Sequence, residues 1–274
     1  MSFAGVQEKL PVFVNEDDAI SIAIDGTPST PYHQAGHRAS GGKRRKRGVL
    51  RGPCKGLWIG IGEATIAVAG KRRYLLVKRY DRFTDPQGEI RRLHQENLCQ
   101  LTGHFPPQKY ERSSTGHGVT LKMMFDAVGD LVSPSERLKL LDAVIFNVVI
   151  CNSDSHAKNY AILIGAGGSA RMTPLYDVMC AAVYGQVDQS LLQSISGRFI
   201  APDLRRADWQ AFAEDIGLSR ASTIKRVEEI AELTSATCTD VAKRMFEIAG
   251  DPTRILKRIT HSVQKRCRRI REQL

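Results

Sequence analysis

The chain has 274 residues, 42% of them hydrophobic and 25% charged, and carries a net charge of +11. That is chain enough for one large domain or two modest ones with a buried core, and it excludes a disordered tail, a collagen-like fibre and a disulfide miniprotein. The longest mostly apolar run, Ala143 to Cys151, is broken by Asn147 and is far short of the ~20 residues that span a bilayer, while Met1-Ser2-Phe3-Ala4-Gly5 lacks the basic and apolar regions of a signal peptide.

In chain order, Val12, Val14, Ile20, Ile22 and Ile24 alternate weakly and predict two short strands, with Asn15 to Asp18 as the turn. Residues 31–59 show no period and are rich in Gly and Arg, which predicts a loop or insert. Ala64 to Val68 and Tyr74 to Val77 predict strands joined near Gly70. From Glu89 onward helices are expected, the first marked by Leu93, Leu98 and Leu101. Ser133-Pro134-Ser135-Glu136 is a helix start, with Ser as N-cap, Pro at N1 and Glu at N3. That helix runs toward Ile150 and is apolar on most sides, so it belongs in the core. A polar loop follows, then a strand from Tyr160 to Ile164, a turn at Gly165 to Gly168 and a return through Arg171 and Met172. After Asp177 the pattern is helical, with Trp209 and Phe212 as core anchors. Ile255, Ile259, Val263, Cys267, Ile270 and Leu274 recur at helical spacing and predict an amphipathic C-terminal helix.

The charge is uneven. Arg38, Lys43, Arg44, Arg45, Lys46, Arg47, Arg51 and Lys55 fall within residues 31–59 with no acid among them. Without them the remaining basic residues nearly balance the 29 acidic ones. The second basic cluster, Arg254 to Arg271, reads as the solvated face of a packed helix, with a nucleic-acid face as the alternative. Cys54, Cys99, Cys151, Cys180, Cys238 and Cys267 form no CxxC pair and read as reduced cytoplasmic thiols, not as a zinc site.

The informative stretch runs from Asn152 through Asp154, His156 and Lys158 to Asn159, and on to Pro174-Leu175-Tyr176-Asp177. Phosphoryl transfer from ATP needs a carboxylate to orient the attacking hydroxyl, and oxygen ligands to hold Mg²⁺ against the phosphates. In protein kinases the catalytic-loop Asp and the metal-binding Asn are five positions apart. Asp154 and Asn159 have that spacing, and the hairpin of 160–172 would bring Asp177 back beside Asn159. An Asp- and Asn-rich loop that merely caps helices and makes turns is the competing reading. His156 reads as loop packing, because no second His lies nearby.

These residues resemble the HipA-like serine/threonine kinases of bacterial toxin–antitoxin systems. The resemblance covers nearly the whole chain apart from residues 31–62. It rests on Ser2 to Lys9 (SFAGVQEK), Val77 to Arg82 (VKRYDR), Arg92 to Gln100 (RLHQENLCQ), Lys109-Tyr110-Glu111, Asn152 to Asn159 and Thr173 to Asp177. It implies Asp154 as catalytic base and Asn159 and Asp177 as Mg²⁺ ligands. Ala4, Gly5, Val6, Gln7, Glu8 and Lys9 would form the phosphate-covering loop, and Ser2 would match the serine that these kinases autophosphorylate. Lys78, Arg79 and Tyr80 would form the adenine-reading hinge, with Lys78 standing where the family usually has an acidic residue. His156, Ala157, Lys158 and Tyr176 would complete the nucleotide site. It also implies a further N-terminal subdomain ahead of the phosphate loop, which this chain does not carry.

One family element is missing. After the equivalent of Pro28-Ser29-Thr30 the family has a strand like His-Ile-Ile-Lys-Pro, whose Lys holds the ATP phosphates, and then a helix with an Asn-Glu pattern. Here Pro31 to His37 (PYHQAGH) stands in that place. Reading a permitted set of codons for residues 31–38 from the second base encodes His-Ile-Ile-Lys-Pro-Asp-Ile. Whatever codons are used, the triplet starting inside Gln34 must encode Lys or Arg. The expectation is an out-of-frame stretch from 31 to about 62 between two compensating shifts, with a genuine basic linker as the alternative.

The expected fold is thus α+β and protein-kinase-like, in two lobes. Residues 1–80 would be a small β-rich N-lobe, damaged by the lost strand, with the phosphate loop and hinge. Residues 81–274 would be a larger helical C-lobe with the catalytic loop. The expected activity is a toxin-type protein serine/threonine kinase using ATP and Mg²⁺, cytoplasmic, with no membrane association and with activity impaired by the missing lysine. Its partners would be a DNA-binding, HipB-like antitoxin and a cellular protein substrate, with DNA reached only through the antitoxin. A catalytically dead, antitoxin-binding pseudokinase is the first alternative and a nucleic-acid-binding protein the second.

Overall fold

The computed structural model describes residues 9–14, 20–22, 31–35, 48–50, 60–69, 72–113, 116–249 and 253–274. Its N-terminal part is a sheet of β1 (Lys9–Val14), β2 (Ile20–Ile22), β3 (Pro31–Ala35), β4 (Gly48–Leu50), β5 (Ala64–Ala69) and β6 (Arg72–Lys78). The strand order is β2-β1-β3-β6-β5-β4 and every pair is antiparallel. The two expected strand pairs are present: Val12 faces Ile22 across β1 and β2, and Ala64 faces Val77 across β5 and β6.

The loop expected over 31–59 is corrected in part, because it contributes β3 and β4. β3 lies inside the sheet, with Leu10 opposite His33 on one side and Leu76 opposite His33 on the other. Ladders on both edges satisfy its peptide groups, so the strand forms without an apolar alternation that the sequence could display. Pro31 sits at the strand's first position, where a missing N–H is tolerated.

Beyond the sheet come β7 (Arg82–Thr84), β8 (Ile90–Arg92), β9 (His94–Asn97), α1 (Leu98–Leu101), β10 (Arg112–Ser113), β11 (Gly116–His117), α2 (Leu121–Gly129) and α3 (Pro134–Val149). The chain continues through β12 (Ala161–Ile164), β13 (Ala170–Met172), α4 (Arg206–Asp215), α5 (Arg220–Ala249) and α6 (Thr253–Gln273). The helix expected around Leu93, Leu98 and Leu101 is corrected: residues 90–97 are extended. β7 pairs with β8, and β9 pairs with β12. Asn97 then caps a helix of only four residues.

α3 follows its sequence signals. The Ser133 hydroxyl accepts the amide of Glu136, Pro134 opens the helix, and every residue from Leu140 to Val149 is buried. Asp142 is the charged residue in that run, and Arg226 of α5 meets it with two hydrogen bonds of 2.7 and 2.6 Å. Trp209 and Phe212 are fully enclosed, with Phe125 packed edge-on against Phe212. The helical pattern expected directly after Asp177 is corrected as well. Residues 178–205 hold only short 3₁₀ turns, and α-helix resumes at Arg206. That stretch is fastened to the loops around it, for example by Glu111 N–H to Leu192 O and Ala181 N–H to Cys151 O.

α6 is the packed amphipathic helix expected. Val263, Cys267 and Ile270 are buried. Several of its arginines work inside the fold: Arg258, Arg266 and Arg269 donate to the carbonyls of Val183, Val148 and Pro202. Among the described residues, no helix is long and apolar enough to cross a membrane.

Candidate functional site

The site begins where α3 stops. The Asn152 N–H bonds to Asn147 O and the Cys151 N–H to Val148 O, a Schellman closure. Such a closure needs one residue in the left-handed region, ordinarily Gly. Here it is Cys151, at φ +61°. The chain then turns sharply into the polar loop of 152–159.

A buried network holds that loop. Asn152 Nδ2 donates to Asn147 Oδ1 (2.8 Å), and Asn147 Nδ2 donates to Tyr160 Oη (3.0 Å). The hydroxyls of Tyr160 and Ser155 share a hydrogen bond. The Asn152 side-chain oxygen Oδ1 accepts the Asp154 N–H (3.2 Å), and the Ser153 hydroxyl donates to Asp188 O (2.7 Å). Burial pushes the Tyr160 phenol pKa up, with its two partners opposing the shift. In a low-dielectric interior a satisfied network of this kind fixes one conformation. Asp154 therefore leaves a rigid base, partly exposed.

The hairpin of β12 and β13 brings the chain back, with Ile162 opposite Met172. Leu175 then forms a parallel bridge to Ile61, with N–H to carbonyl bonds of 2.8 Å from Gly62 to Leu175 and 2.7 Å from Leu175 to Gly60. A side chain at Gly62 would press on the Leu175 carbonyl at 3.3 Å. The next residue, Tyr176, donates its hydroxyl to Lys158 O at 2.6 Å. Asp177 follows at φ +53°, exposed, which turns the chain away. Its neighbour Tyr176 is thus hydrogen-bonded to the residue that precedes Asn159.

Around these residues Tyr80 packs on Tyr176, ring centroids 5.8 Å apart. Arg79 makes a two-pronged pair with Asp81 (2.8 and 2.6 Å), and Arg82 joins it. Burial alone would raise the Asp81 pKa, but hydrogen bonds and charge from Arg79, then Arg82, hold it below the usual carboxylate value. Lys78 is exposed and pairs with Glu63 at 3.4 Å. His156 is buried edge-on to Tyr110, 5.5 Å between centroids, in keeping with loop packing. Ala157 to Asn159 form a short 3₁₀ turn, closed by Asn159 N–H to His156 O. Ser2, Ala4, Gly5, Val6, Gln7 and Glu8 lie outside the described residues. Lys9 begins β1.

Asn159 is 6% exposed, and its side-chain oxygen has no hydrogen-bond partner among the described residues. A buried amide oxygen left open, on a segment tied through Lys158 and Tyr176 to the exposed carboxylate of Asp177, adds to it the hard oxygen donors that Mg²⁺ takes. The residues present therefore fit Mg²⁺ held by Asn159 and Asp177. Among the described residues no cluster of three His, Cys, Asp or Glu side chains gathers. The fit thus rests on an Asn and an Asp.

Sequence reasoning missed Asn147, Ser155 and Tyr160 as supports of the loop. One signal was available: Asn147 interrupts the longest apolar run, and a polar residue inside a buried helix needs a partner. The link from Lys109 to Glu111 into residues 192–194 had no such signal. There Glu111 takes the Ser194 N–H (2.6 Å) and hydroxyl (2.8 Å), and Gln193 donates to Lys109 O (2.7 Å).

A protein-family model described as the HipA-like C-terminal domain matches residues 56–240. Y4mE of Sinorhizobium fredii is 29% identical over 273 residues, covering 99% of this chain and 64% of that protein. The serine/threonine-protein kinase toxin HipA of Shewanella oneidensis is 24% identical over 281 residues, covering 98% and 64%. The chain thus spans 64% of the length of these curated relatives. Among solved structures, the Shewanella oneidensis complex of HipA, HipB and operator DNA superposes with a TM-score of 0.83 at 22% identity, covering 99% of this chain and 65% of that one. The Helicobacter pylori proinflammatory kinase CtkA gives a TM-score of 0.52 at 9% identity, covering 96% and 94%. These two likenesses concern the fold, which is that of a kinase with mixed helix and sheet.

Proposed function

The chain belongs to the HipA-like C-terminal domain family, and from that premise we propose that it is a toxin-type protein serine/threonine kinase, transferring the ATP γ-phosphate to a protein Ser or Thr. The observation that carries this reading is the hydrogen bond from Tyr176 to Lys158 (2.6 Å), which draws the segments of Asp177 and Asn159 together. In this reading Asp154 accepts the proton of the attacking hydroxyl. It projects from a loop held by the hydrogen bonds among Asn147, Asn152, Tyr160 and Ser155, so little reorganisation is needed at the moment of transfer. Asn159 and Asp177 hold Mg²⁺, which supplies charge neutralisation at the phosphates. Tyr80, packed on Tyr176, borders the nucleotide with Arg79 and Lys78, while His156, Ala157 and Lys158 shape the loop beneath it. Ala4 to Lys9 cover the phosphates, and Ser2 takes the autophosphorylation.

We further propose that activity is low. β3 occupies the middle of the sheet, yet its sequence, Pro-Tyr-His-Gln-Ala, contains no lysine. Without that cation the phosphates lose a principal electrostatic partner, and no Lys–Glu pair can align the site. An out-of-frame stretch from 31 to about 62 accounts for the loss. The same observation favours a second reading, a pseudokinase that still docks a HipB-like, DNA-binding antitoxin. The test is transfer of labelled γ-phosphate to protein, with Asp154→Ala beside the unaltered chain. Transfer that disappears in the variant supports the kinase. Antitoxin binding without transfer in either supports the pseudokinase.

A further inference from the structure

Two thiols that the kinase reading does not use meet beneath the site. Cys151 occupies the left-handed closing position of α3, where its side chain is the unusual feature, and is 7% exposed. Cys180 lies three residues beyond Asp177 and is half-buried. The Ala181 N–H donates to Cys151 O at 2.9 Å, so the two backbones run side by side at that point. The two thiols lie near enough for each to govern the other's ionisation, and the Cys151 sulfur also faces the carbonyls of Val149 and Ser262. The backbone hydrogen bond from Ala181 to Cys151 sets the two cysteines on adjacent segments, within the reach a disulfide bridges.

The chemistry is asymmetric in a useful direction. The hydrogen bond from Cys180 lowers the Cys151 pKa to about 7, against its burial and with help from Arg266, while the same contact and burial push Cys180 up. That asymmetry makes Cys151 the nucleophile of the pair and Cys180 its resolving partner. Cys99 has no such thiol partner among the described residues: burial raises it, and its sulfur donates to the carbonyls of His104 and Phe105.

We propose that Cys151 and Cys180 are a modification site at which a peroxide forms a reversible disulfide, tying the entry of the loop that carries Asp154 to the segment that follows Asp177. The Cys151 thiolate attacks one peroxide oxygen, forming S–O and breaking O–O, and hydroxide leaves. The Cys180 sulfur then displaces the sulfenic oxygen, which departs as water with the Cys180 proton. Two thiols are oxidised by two electrons and one hydrogen peroxide becomes two waters. A thiol reductant reverses the bond.

The bond does not depend on kinase activity, and only its effect on phosphotransfer rests on that reading. The test treats the full chain with hydrogen peroxide at neutral pH, alkylates remaining thiols, digests without reductant and weighs the peptides. The expected result is one cross-linked pair containing Cys151 and Cys180, ~2 Da below the sum of the two reduced peptides and lost on adding dithiothreitol, while Cys99 stays alkylated. In Cys180→Ser the pair is absent and Cys151 is captured by dimedone as the sulfenic acid. Cys180→Ala, checked for cooperative melting, gives the same capture if serine disturbs the fold. Full alkylation of both Cys151 and Cys180 under peroxide that oxidises glutathione overturns the proposal, as does linkage of Cys151 to Cys238 or Cys267. The readout needs no nucleotide, so either outcome leaves the test of Asp154 independent.

Discussion

The hydroxyl of Tyr176 donates to the backbone carbonyl of Lys158 across 2.6 Å. Those two residues are the immediate chain neighbours of Asp177 and Asn159, so one side-chain bond joins the two segments proposed to hold the metal. Removing only the hydroxyl, in Tyr176→Phe, should cost about 1 kcal/mol of stability, the net worth of one such bond. It should weaken Mg·ATP binding by about fivefold through loss of position. Denaturant titration and nucleotide titration of the same variant measure both. Unchanged binding would mean that the backbone bridge between Ile61 and Leu175 suffices.

The loop network makes a separate prediction. Asn147→Leu leaves the side-chain amide of Asn152 buried without its partner and takes one of two partners from the Tyr160 phenol, which keeps Ser155, at about 1–3 kcal/mol for the group left unsatisfied. The midpoint in urea should fall accordingly, with Asp154 less ordered, whereas an exposed change such as Lys122→Gln should be neutral.

How far such features could be read in advance depended on whether they had a local cause. The α3 start was legible, because Ser133, Pro134 and Glu136 are capping chemistry written in four consecutive residues. The spacing of Asp154, Asn159 and Asp177 suggested the proposed site, and the hairpin ahead of Asp177 was legible as strand, glycine turn and strand. The extended run 90–97 was not, since β9 exists by pairing with β12, some 60 residues away, and Leu93, Leu98 and Leu101 imitate a helical stripe. β3 was illegible for the same reason: its ladders come from β1 and β6. The bond of Arg258 to Val183 likewise shows nothing locally, so a basic cluster that read as the solvated face of a packed helix proved partly devoted to capping carbonyls.

The pair of Asp142 and Arg226 joins α3 to α5 away from solvent. Asp142→Ala removes two charge-assisted hydrogen bonds and leaves the guanidinium with Glu229 as a carboxylate partner, so it should cost about 1–3 kcal/mol, or ~5 °C in melting temperature for a chain of this size. Replacing both with apolar residues of similar volume should cost much less. Thermal melts of the single and double variants check this.

Asp81 sets an acid dependence. Its carboxyl is held below the ordinary value of 3.8 by Arg79 and Arg82. The folded state therefore binds that proton less readily than the unfolded chain, so its contribution is complete above the unfolded pKa and is lost as pH falls through the folded one. Stability should decline below about pH 4 more steeply in the unaltered chain than in Asp81→Asn, as read by denaturant midpoints at pH 6 and in that acid range.

The missing lysine can be returned. The shifted frame places Lys or Arg at the triplet that starts within Gln34, on β3. Gln34→Lys should raise phosphotransfer at least ~10-fold if the lost cation is what limits the site. No gain would place the defect elsewhere in residues 31–62.

The most direct test of the central claim is a thermal melt with and without Mg·ATP, with Asp177→Ala beside the unaltered chain. A ligand that binds only the folded state must raise the midpoint. The account predicts a rise in the unaltered chain that vanishes in Asp177→Ala. A cooperative melt with no rise, or a rise that survives the substitution, would contradict it.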